Sequence, residues 1–245
     1  MLENDYSQRL KHWLDRFGFT ADPFAVYEAD QERSVIPYIF VDRPYVHHVV
    51  GDPARPQAAF LLARAGEGKT ATREIVLYEC MHGRLRNRTL PVRYSNFDFL
   101  LAQTNGDPQR VTLHHHAAAI AHATLQTLAD DVPPQYFAFL DAAGRDLLLA
   151  FGQTFATGYT QHKLARLLQG EAASFDLESS LPIDILKWLV QSVTQLGPAR
   201  DRRYEAVYVL VDRADETAAG AQAAQPLLQP LVVDSLLQGV PGLAL

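Results

Sequence analysis

Residues 58–80 read AAFLLARAGEGKTATREIVLYEC, and this stretch decides the fold. Residues 58–63 form a short continuous apolar run, which is the pattern of a strand buried on both faces. A glycine-containing loop, 64–70, follows at once, and residues 71–80 have the pattern of a helix. A strand that leads through such a loop into a helix predicts an α/β fold, with a mostly parallel sheet covered by helices on both faces.

The loop carries the residue types that phosphate binding needs. ARAGEGKT, residues 63–70, fits the phosphate-loop pattern with Ala63 in place of the usual first glycine. Glycines let the backbone aim its N–H groups at phosphate oxygens, and the helix start adds its positive end. Lys69 is expected to lie along the β- and γ-phosphates, and the Thr70 hydroxyl is expected to bind Mg²⁺. The candidate nucleotide-binding residues are Ala65, Gly66, Glu67, Gly68, Lys69, Thr70 and Ala71.

A second motif lies far downstream. Residues 205–212, EAVYVLVD, are the clearest strand in the sequence, because β-branched and aromatic residues dominate up to an acidic end. A carboxylate at such a strand end would lie beside the phosphates, so Asp212 is a candidate Mg²⁺ ligand. Asp215 and Glu216 are candidate catalytic residues together with Lys69. Glu216 is predicted to position the attacking water because its side chain is longer by one methylene, while Asp215 shapes the turn or supports the metal.

The rest of the chain supplies the remaining elements of the predicted sheet and its helices. Residues 2–17 have helical spacing, 89–94 form a second strand, and 109–197 are helical with breaks. Residues 225–238 are predicted as a helix, and 240–245 as the start of a further strand.

The two motifs together, ARAGEGKTATRE and VYVLVDRADE, resemble the P-loop ATPases of the additional-strand division. The spacing Asp212-x-x-Asp215-Glu216 is similar to the extended Walker-B motif of STAND-type ATPases, including the NACHT and KAP groups. The segment FGFTADPF, 17–24, resembles the one that precedes the nucleotide core in some bacterial AAA and STAND proteins.

This resemblance implies a P-loop NTPase-type sheet sandwiched by helices, with the helical block inserted between the second core strand and the Walker-B strand. It also implies ATP or ADP and Mg²⁺ as ligands. Residues 1–51 are then an N-terminal helix and aromatic segment packed on the core, 52–245. The core is expected to be truncated at its C-terminal end, because no sensor residue, arginine finger or helical lid of that family precedes Leu245.

Composition excludes several other classes of protein. The chain has 245 residues and a formal net charge of −6, which argues against a dedicated nucleic-acid coat because that affinity comes mainly from Lys and Arg. The single cysteine, Cys80, excludes an internal disulfide, a thiolate zinc cluster and an iron–sulfur site. Cys80 is expected in the core, in a reducing cytoplasm. No apolar stretch approaches the roughly 18 residues of a membrane span.

Two other groups of side chains have a plain interpretation. The three histidines at 114–116 are adjacent, whereas zinc-binding pairs on a helix need i, i+4 spacing, so a solvated helix start is favoured over a metal site. Arg84, Arg86 and Arg88 could meet nucleic acid or an acidic partner. The net negative charge of the chain favours a solvated turn over a binding site for this cluster.

The sequence favours an ATP-binding, Mg²⁺-dependent ATPase that acts as a switch or motor module of a larger protein, with a protein partner or further domains beyond residue 245. The alternative is a nucleotide-binding interaction module without turnover. A small-molecule kinase is disfavoured, because the helical block offers no recognisable acceptor site and the acidic pair suits water. Two geometric predictions follow: segments 58–63 and 205–211 are neighbours or near-neighbours in one sheet, and Asp212 lies close to Thr70.

Overall fold

The structure is a computed structural model, and it describes residues 2–18, 36–41, 43–61, 63, 67–170, 175–198, 204–217, 219–233 and 240–245. The helices in these ranges are α1 (Leu2–Arg16), α2 (Ile36–Ile39), α3 (Pro44–Val50), α4 (Lys69–Met81), α5 (Asp98–Gln103), α6 (Leu113–Asp131), α7 (Ala142–Phe155), α8 (Gly158–Leu168), α9 (Pro182–Thr194) and α10 (Ala224–Val233). The strands are β1 (Thr89–Tyr94), β2 (Ala206–Val211) and β3 (Leu243–Ala244).

These strands form one parallel sheet in the order β1-β2-β3. β1 pairs with β2 so that Thr89 lies opposite Ala206, and β2 pairs with β3 so that Val207 lies opposite Leu243. Parallel neighbours need a long crossover, and the crossover from β1 to β2 is the series of helices α5 to α9. The predicted strands at 89–94 and 205–212 and the strand start within 240–245 are therefore confirmed, as is the helical block between them.

Helices cover both faces of the central strand. Side chains alternate along a strand, so Ala206 and Tyr208 pack into a smaller core with α2, α3 and α4. Val207 and Val209 pack into a larger core that α5 to α10 complete. The predicted α/β class with helices on both faces of a parallel sheet is confirmed.

The larger core depends on α6, which contacts α7, α8 and α9 as well as β1. Leu125 of α6, Leu148 of α7 and Leu186 of α9 are fully buried. The apolar spacing of these helices predicts a covered face on each of them. The helical block therefore has a core of its own that continues into one face of the sheet.

One predicted strand does not form. Residues 58–61 and 63 are irregular in the structure, although the Ala59 N–H donates a hydrogen bond to the Leu245 carbonyl at 2.9 Å. The adjacent strand β3 spans two residues, so the ladder on that side is too short to hold 58–63 as a regular strand. The segment lies beside the end of β3 but is not a strand of the sheet, so the prediction that 58–63 and 205–211 are neighbours or near-neighbours in one sheet is wrong.

The N-terminal region is described in part. The predicted helix at 2–17 forms as α1, whereas residues 19–35, with most of the FGFTADPF segment, lie outside the described residues. The short helices α2 and α3 pack on α4 through Ile36, Val46 and Val50. Among the described residues, no helix combines the length and the apolarity needed to cross a membrane.

Cys80 lies on the buried face of α4, as predicted. Burial raises the pKa of its thiol to about 11, against an ordinary value of 9.0. Desolvation disfavours the thiolate, so Cys80 behaves as a small core residue.

β1 is the outer strand of the described sheet, and Pro91 lies in its middle. Proline has no N–H to give to a ladder and is tolerated in a sheet mainly on edge strands. The position of Pro91 therefore agrees with the edge position of β1.

Candidate functional site

The helix α4 begins at Lys69, directly after the glycine loop. Gly68 caps it with φ 88° and ψ 23°, a left-handed conformation that favours glycine. The backbone N–H and the hydroxyl of Thr72 donate to the Gly68 carbonyl at 2.9 and 3.0 Å. The first N–H groups of a helix have no partner within it, so the start of α4 presents donors towards the loop.

The remaining loop residues are described in part. Ala65 and Gly66 lie outside the described residues, while Glu67 is exposed and Ala71 is half-buried. The Lys69 Nζ donates to the carbonyl of Ala63 at 3.0 Å. The ammonium group therefore reaches back to the residue at which the predicted phosphate loop begins.

The end of β2 meets the start of α4. The Thr70 hydroxyl donates to Asp212 Oδ2 at 3.1 Å across 142 positions of sequence. The Asp212 N–H donates to the Tyr94 carbonyl at 3.3 Å, so the β1–β2 ladder continues up to this residue. The prediction that Asp212 lies close to Thr70 is confirmed.

A third side chain joins this contact, and the sequence analysis missed it. Arg73 Nη1 lies 2.9 Å from Asp212 Oδ2, the same oxygen that Thr70 contacts. Arg73 Nη2 also donates to Glu74 Oε1 at 2.5 Å. Residues three apart share one face of a helix, so the spacing of Thr70 and Arg73 was the available signal.

Two of the three charged side chains of this cluster, Arg73 and Glu74, are buried, and Asp212 is nearly so. The exposed side-chain fractions are 8% for Arg73, 3% for Glu74 and 11% for Asp212. Burying a charge is expensive unless it is paired and hydrogen-bonded. Charge is therefore held inside the protein beside the loop that is predicted to meet phosphates.

Asp215 and Glu216 lie in an exposed turn that follows Asp212. Arg213 turns the chain with a left-handed φ of 66°, and its Nε lies 3.5 Å from Glu216 Oε2. The Glu216 side chain is 60% exposed. The structure thus brings Thr70, Arg73 and Asp212 together, and the roles of Asp215 and Glu216 stay predictions.

A cavity of about 220 Å³ opens beside this cluster. Lys69, Arg73 and Asp212 contribute its charged wall, and Leu228 and Leu231 of α10 contribute apolar surface. Ligand pockets typically combine an apolar lining with a few convergent polar groups. The cavity has that composition.

The donor set suits a hard cation. A hydroxyl and a carboxylate are oxygen ligands, and Mg²⁺ is usually held by one or two carboxylates together with substrate phosphates and water. The guanidinium of Arg73 already places positive charge on Asp212 Oδ2. No cluster of three or more His, Cys, Asp or Glu side chains suited to a metal occurs in the described part of the chain, so an all-protein metal cage is not found there.

The arginines after α4 have structural partners. Arg88 donates two hydrogen bonds to the Glu205 carboxylate, at 2.8 and 2.7 Å, and this lowers the pKa of Glu205. Arg84 lies 3.9 Å from Glu79, which is a long contact. All these groups are substantially exposed, in agreement with the predicted solvated turn.

The prediction of a solvated helix start at 114–116 is wrong for His116, which is fully buried. Its Nε2 donates to the Leu227 carbonyl, and its Nδ1 accepts from the Tyr94 hydroxyl, both at 2.7 Å. Burial lowers the pKa of His116 to about 4. The reason is tertiary: α10 packs on this turn of α6. His115 accepts a hydrogen bond from the Thr112 N–H at the start of α6.

Comparisons of the chain with protein-family models, with curated proteins and with solved structures give no match.

Proposed function

We propose that this chain binds ATP or ADP with Mg²⁺ at the start of α4 and hydrolyses ATP. The observation that carries the proposal is the 3.1 Å contact between Thr70 and Asp212. The two residues belong to two motifs that the sequence analysis assigned to one metal site, and they come from distant parts of the sequence. The carboxyl ends of parallel strands are also where ligands of α/β sheets usually bind.

The loop and the start of α4 would bind the phosphates. Gly68 takes a conformation that a side chain would strain, and the first N–H groups of the helix, which have no partner within it, would donate to phosphate oxygens. Lys69 would exchange its contact with the Ala63 carbonyl for the β- and γ-phosphates. A charge-assisted contact of this kind is about twice as strong as a neutral hydrogen bond.

Thr70 and Asp212 are the residues that would hold Mg²⁺. When bound, the ion supplies charge neutralisation at the phosphate oxygens. The Thr70 hydroxyl donates to Asp212, so its lone pairs already point away from that carboxylate and could meet the ion without breaking this hydrogen bond. Asp212 would give up its present contact with Arg73.

Water attack needs a carboxylate within reach of the γ-phosphate, and Glu216 is the proposed one. The observation that favours the alternative, a binding module without turnover, is the exposed Arg213–Glu216 contact at 3.5 Å. Glu216 would have to leave Arg213 and approach the loop for hydrolysis. With hydrolysis, the proposed role is a cytoplasmic switch or motor module that acts on a protein partner; without it, the proposed role is a nucleotide-binding interaction module.

Nucleotide titration of a Lys69→Ala variant tests the binding site. The affinity for fluorescent ADP with Mg²⁺ should fall about tenfold to a hundredfold, the range expected for the loss of a hydrogen bond to a charged group. The matched control is Lys187→Ala, because Lys187 is a half-exposed lysine of α9, and that variant should bind as the wild type does. Equal affinity in all three proteins would exclude the site.

Phosphate release under single-turnover conditions separates an ATPase from a binding module. Glu216→Gln should keep nucleotide affinity and hydrolyse ATP roughly a hundredfold more slowly, as expected when a general base is lost. Asp215→Asn is the comparison variant on the same turn. Absence of Mg²⁺-dependent release from a wild-type protein that binds ATP would favour the binding module.

A further inference from the structure

Arg73 contacts an oxygen of Asp212, the carboxylate that the proposed function assigns to Mg²⁺. Its Nη1 lies 2.9 Å from Asp212 Oδ2, and the Thr70 hydroxyl contacts the same oxygen at 3.1 Å. One carboxylate oxygen is thus shared by the two residues of α4 that face the end of β2. A divalent cation bound between Thr70 and Asp212 would compete with the guanidinium for this oxygen.

The charges of the cluster couple the withdrawal of Arg73 from Asp212 to the binding of another cation. Asp212 is 11% exposed, so its carboxylate has little access to water and depends on a nearby positive charge. If Arg73 withdrew alone, Asp212 would stay buried and uncompensated. Withdrawal is therefore favourable only when another cation replaces the guanidinium.

Glu74 gives Arg73 a second partner for this exchange. Arg73 Nη2 already donates to Glu74 Oε1 at 2.5 Å, and the Glu74 side chain is 3% exposed. The positive charge of Arg73 would remain compensated by Glu74 after Asp212 accepts a different cation. The trio of one guanidinium and two carboxylates sums to −1, and a bound divalent cation would convert that to +1 beside the anionic phosphates.

We infer that Arg73 is an internal competitor of Mg²⁺: it compensates Asp212 in the nucleotide-free protein and sets the Mg²⁺ concentration at which the site accepts a metal-bound nucleotide. Glu74 tunes this competition by drawing Arg73 away from Asp212. The inference rests on the proposed function. Arg73 is a positioning residue in this scheme, because it acts through Asp212.

The test is the Mg²⁺ concentration that half-maximally tightens binding of fluorescent ADP, measured at constant ionic strength. Arg73→Gln should lower this midpoint about tenfold or more, since a charge-assisted contact to Asp212 no longer has to be exchanged. Glu74→Gln should raise it, because Arg73 then has Asp212 as its remaining carboxylate in the trio. Arg73→Lys keeps the charge and should lie between the wild type and Arg73→Gln.

A purely structural ion pair would alter stability and leave the Mg²⁺ midpoint unchanged. Arg73→Gln alone leaves Glu74 buried without its guanidinium and could fail to fold. The double variant Arg73→Gln with Glu74→Gln replaces both charges by neutral amides and leaves neither of them buried without a partner, so it should show the same lowered midpoint.

The outcomes separate the two proposals. If the wild-type protein does not bind ADP, both the proposed function and the inference are excluded. A wild-type protein whose ADP binding depends on Mg²⁺, with an equal midpoint in the folded Arg73 variants, overturns the inference alone. A midpoint that is higher in Arg73→Gln than in the wild type does the same.

Discussion

Buried polar groups are handled differently in the two parts of the molecule. Beside the glycine loop, Arg73 and Glu74 of α4 are buried as charged groups, next to the nearly buried Asp212. In the helical block, the buried polar side chains that the structure describes are uncharged residues and His116. Thr124 donates to the Ile120 carbonyl one turn back, and His116 joins Tyr94 to Leu227.

The two kinds of buried polar group contribute differently to stability. A buried hydroxyl that bonds within its own helix satisfies the backbone at little expense, and it binds nothing else. A buried charge stabilises a fold weakly at best, because desolvation offsets the attraction. The charge buried at the end of the parallel sheet is the feature on which the proposed nucleotide site rests, whereas the buried polar groups of the helical block bond within the protein.

The largest expected effect is on the packing side of this contrast. Phe151 of α7 is fully buried, so Phe151→Ala should lower the free energy of unfolding by about 3–5 kcal/mol through lost burial and a cavity. Urea unfolding measures it, with Gln153→Ala on the exposed side of α7 as the control, expected within about 0.5 kcal/mol. The ADP affinity of folded Phe151→Ala should equal that of the wild type. A loss of affinity would show that packing in the helical block affects the proposed nucleotide site.

The next effect concerns the uncharged state of His116. Burial holds its folded-state pKa at about 4, against 6.5 in the unfolded chain. The unfolded state then binds the extra proton between these values, so this stabilisation is complete above about pH 6.5 and is lost as the pH falls towards 4. The loss should amount to about 3 kcal/mol in total.

Urea unfolding at a series of pH values measures this loss. His116→Gln can keep both hydrogen bonds without titrating, so it should unfold with a shallower dependence on pH than the wild type. The exposed His162 of α8 offers the control, and His162→Gln should keep the wild-type slope. If His116→Gln retained the full slope, the buried histidine would not be the group that resists protonation.

The smallest expected effect compares two glycines. Gly68 before α4 and Gly158 at the start of α8 both have positive φ, and a Cβ added at either would meet nothing within 4 Å. Each substitution by alanine should therefore lower the free energy of unfolding by about 1–2 kcal/mol through backbone strain alone. ADP titration should show weaker binding for Gly68→Ala and unchanged binding for Gly158→Ala. If Gly68→Ala and Gly158→Ala bound ADP with equal affinity, the glycine loop would take no part in nucleotide binding.

Local sequence patterns predicted much of the fold. The helix after the loop and the strands at 89–94 and 205–212 were predicted because apolar spacing and β-branched runs act within one element. The strand at 58–63 was predicted wrongly, because a strand also needs a neighbour of sufficient length, and β3 spans two residues.

The candidate site was predictable to a similar degree. The approach of Thr70 to Asp212 was predicted because both motifs were interpreted as parts of one Mg²⁺ site. The burial of His116 depends on Leu227, 111 positions away, and no local pattern reports that. Arg73 could have been found from its helical spacing to Thr70, but its distance from Asp212 depends on how α4 lies against β2.

Pro91 affects whether the β1 edge of the sheet can pair with a strand of a second molecule. The carbonyls of Arg88 and Tyr94 accept from β2, so the alternate positions Thr89, Pro91 and Arg93 direct their backbone groups outward. The Thr89 N–H is already bonded to the Leu85 carbonyl, and Pro91 has no N–H. An incoming strand would therefore lack two successive donors along this edge. Continuation of the sheet from one molecule into the next, the first step of edge-to-edge aggregation, is therefore disfavoured at β1 by Pro91 together with the Thr89–Leu85 hydrogen bond.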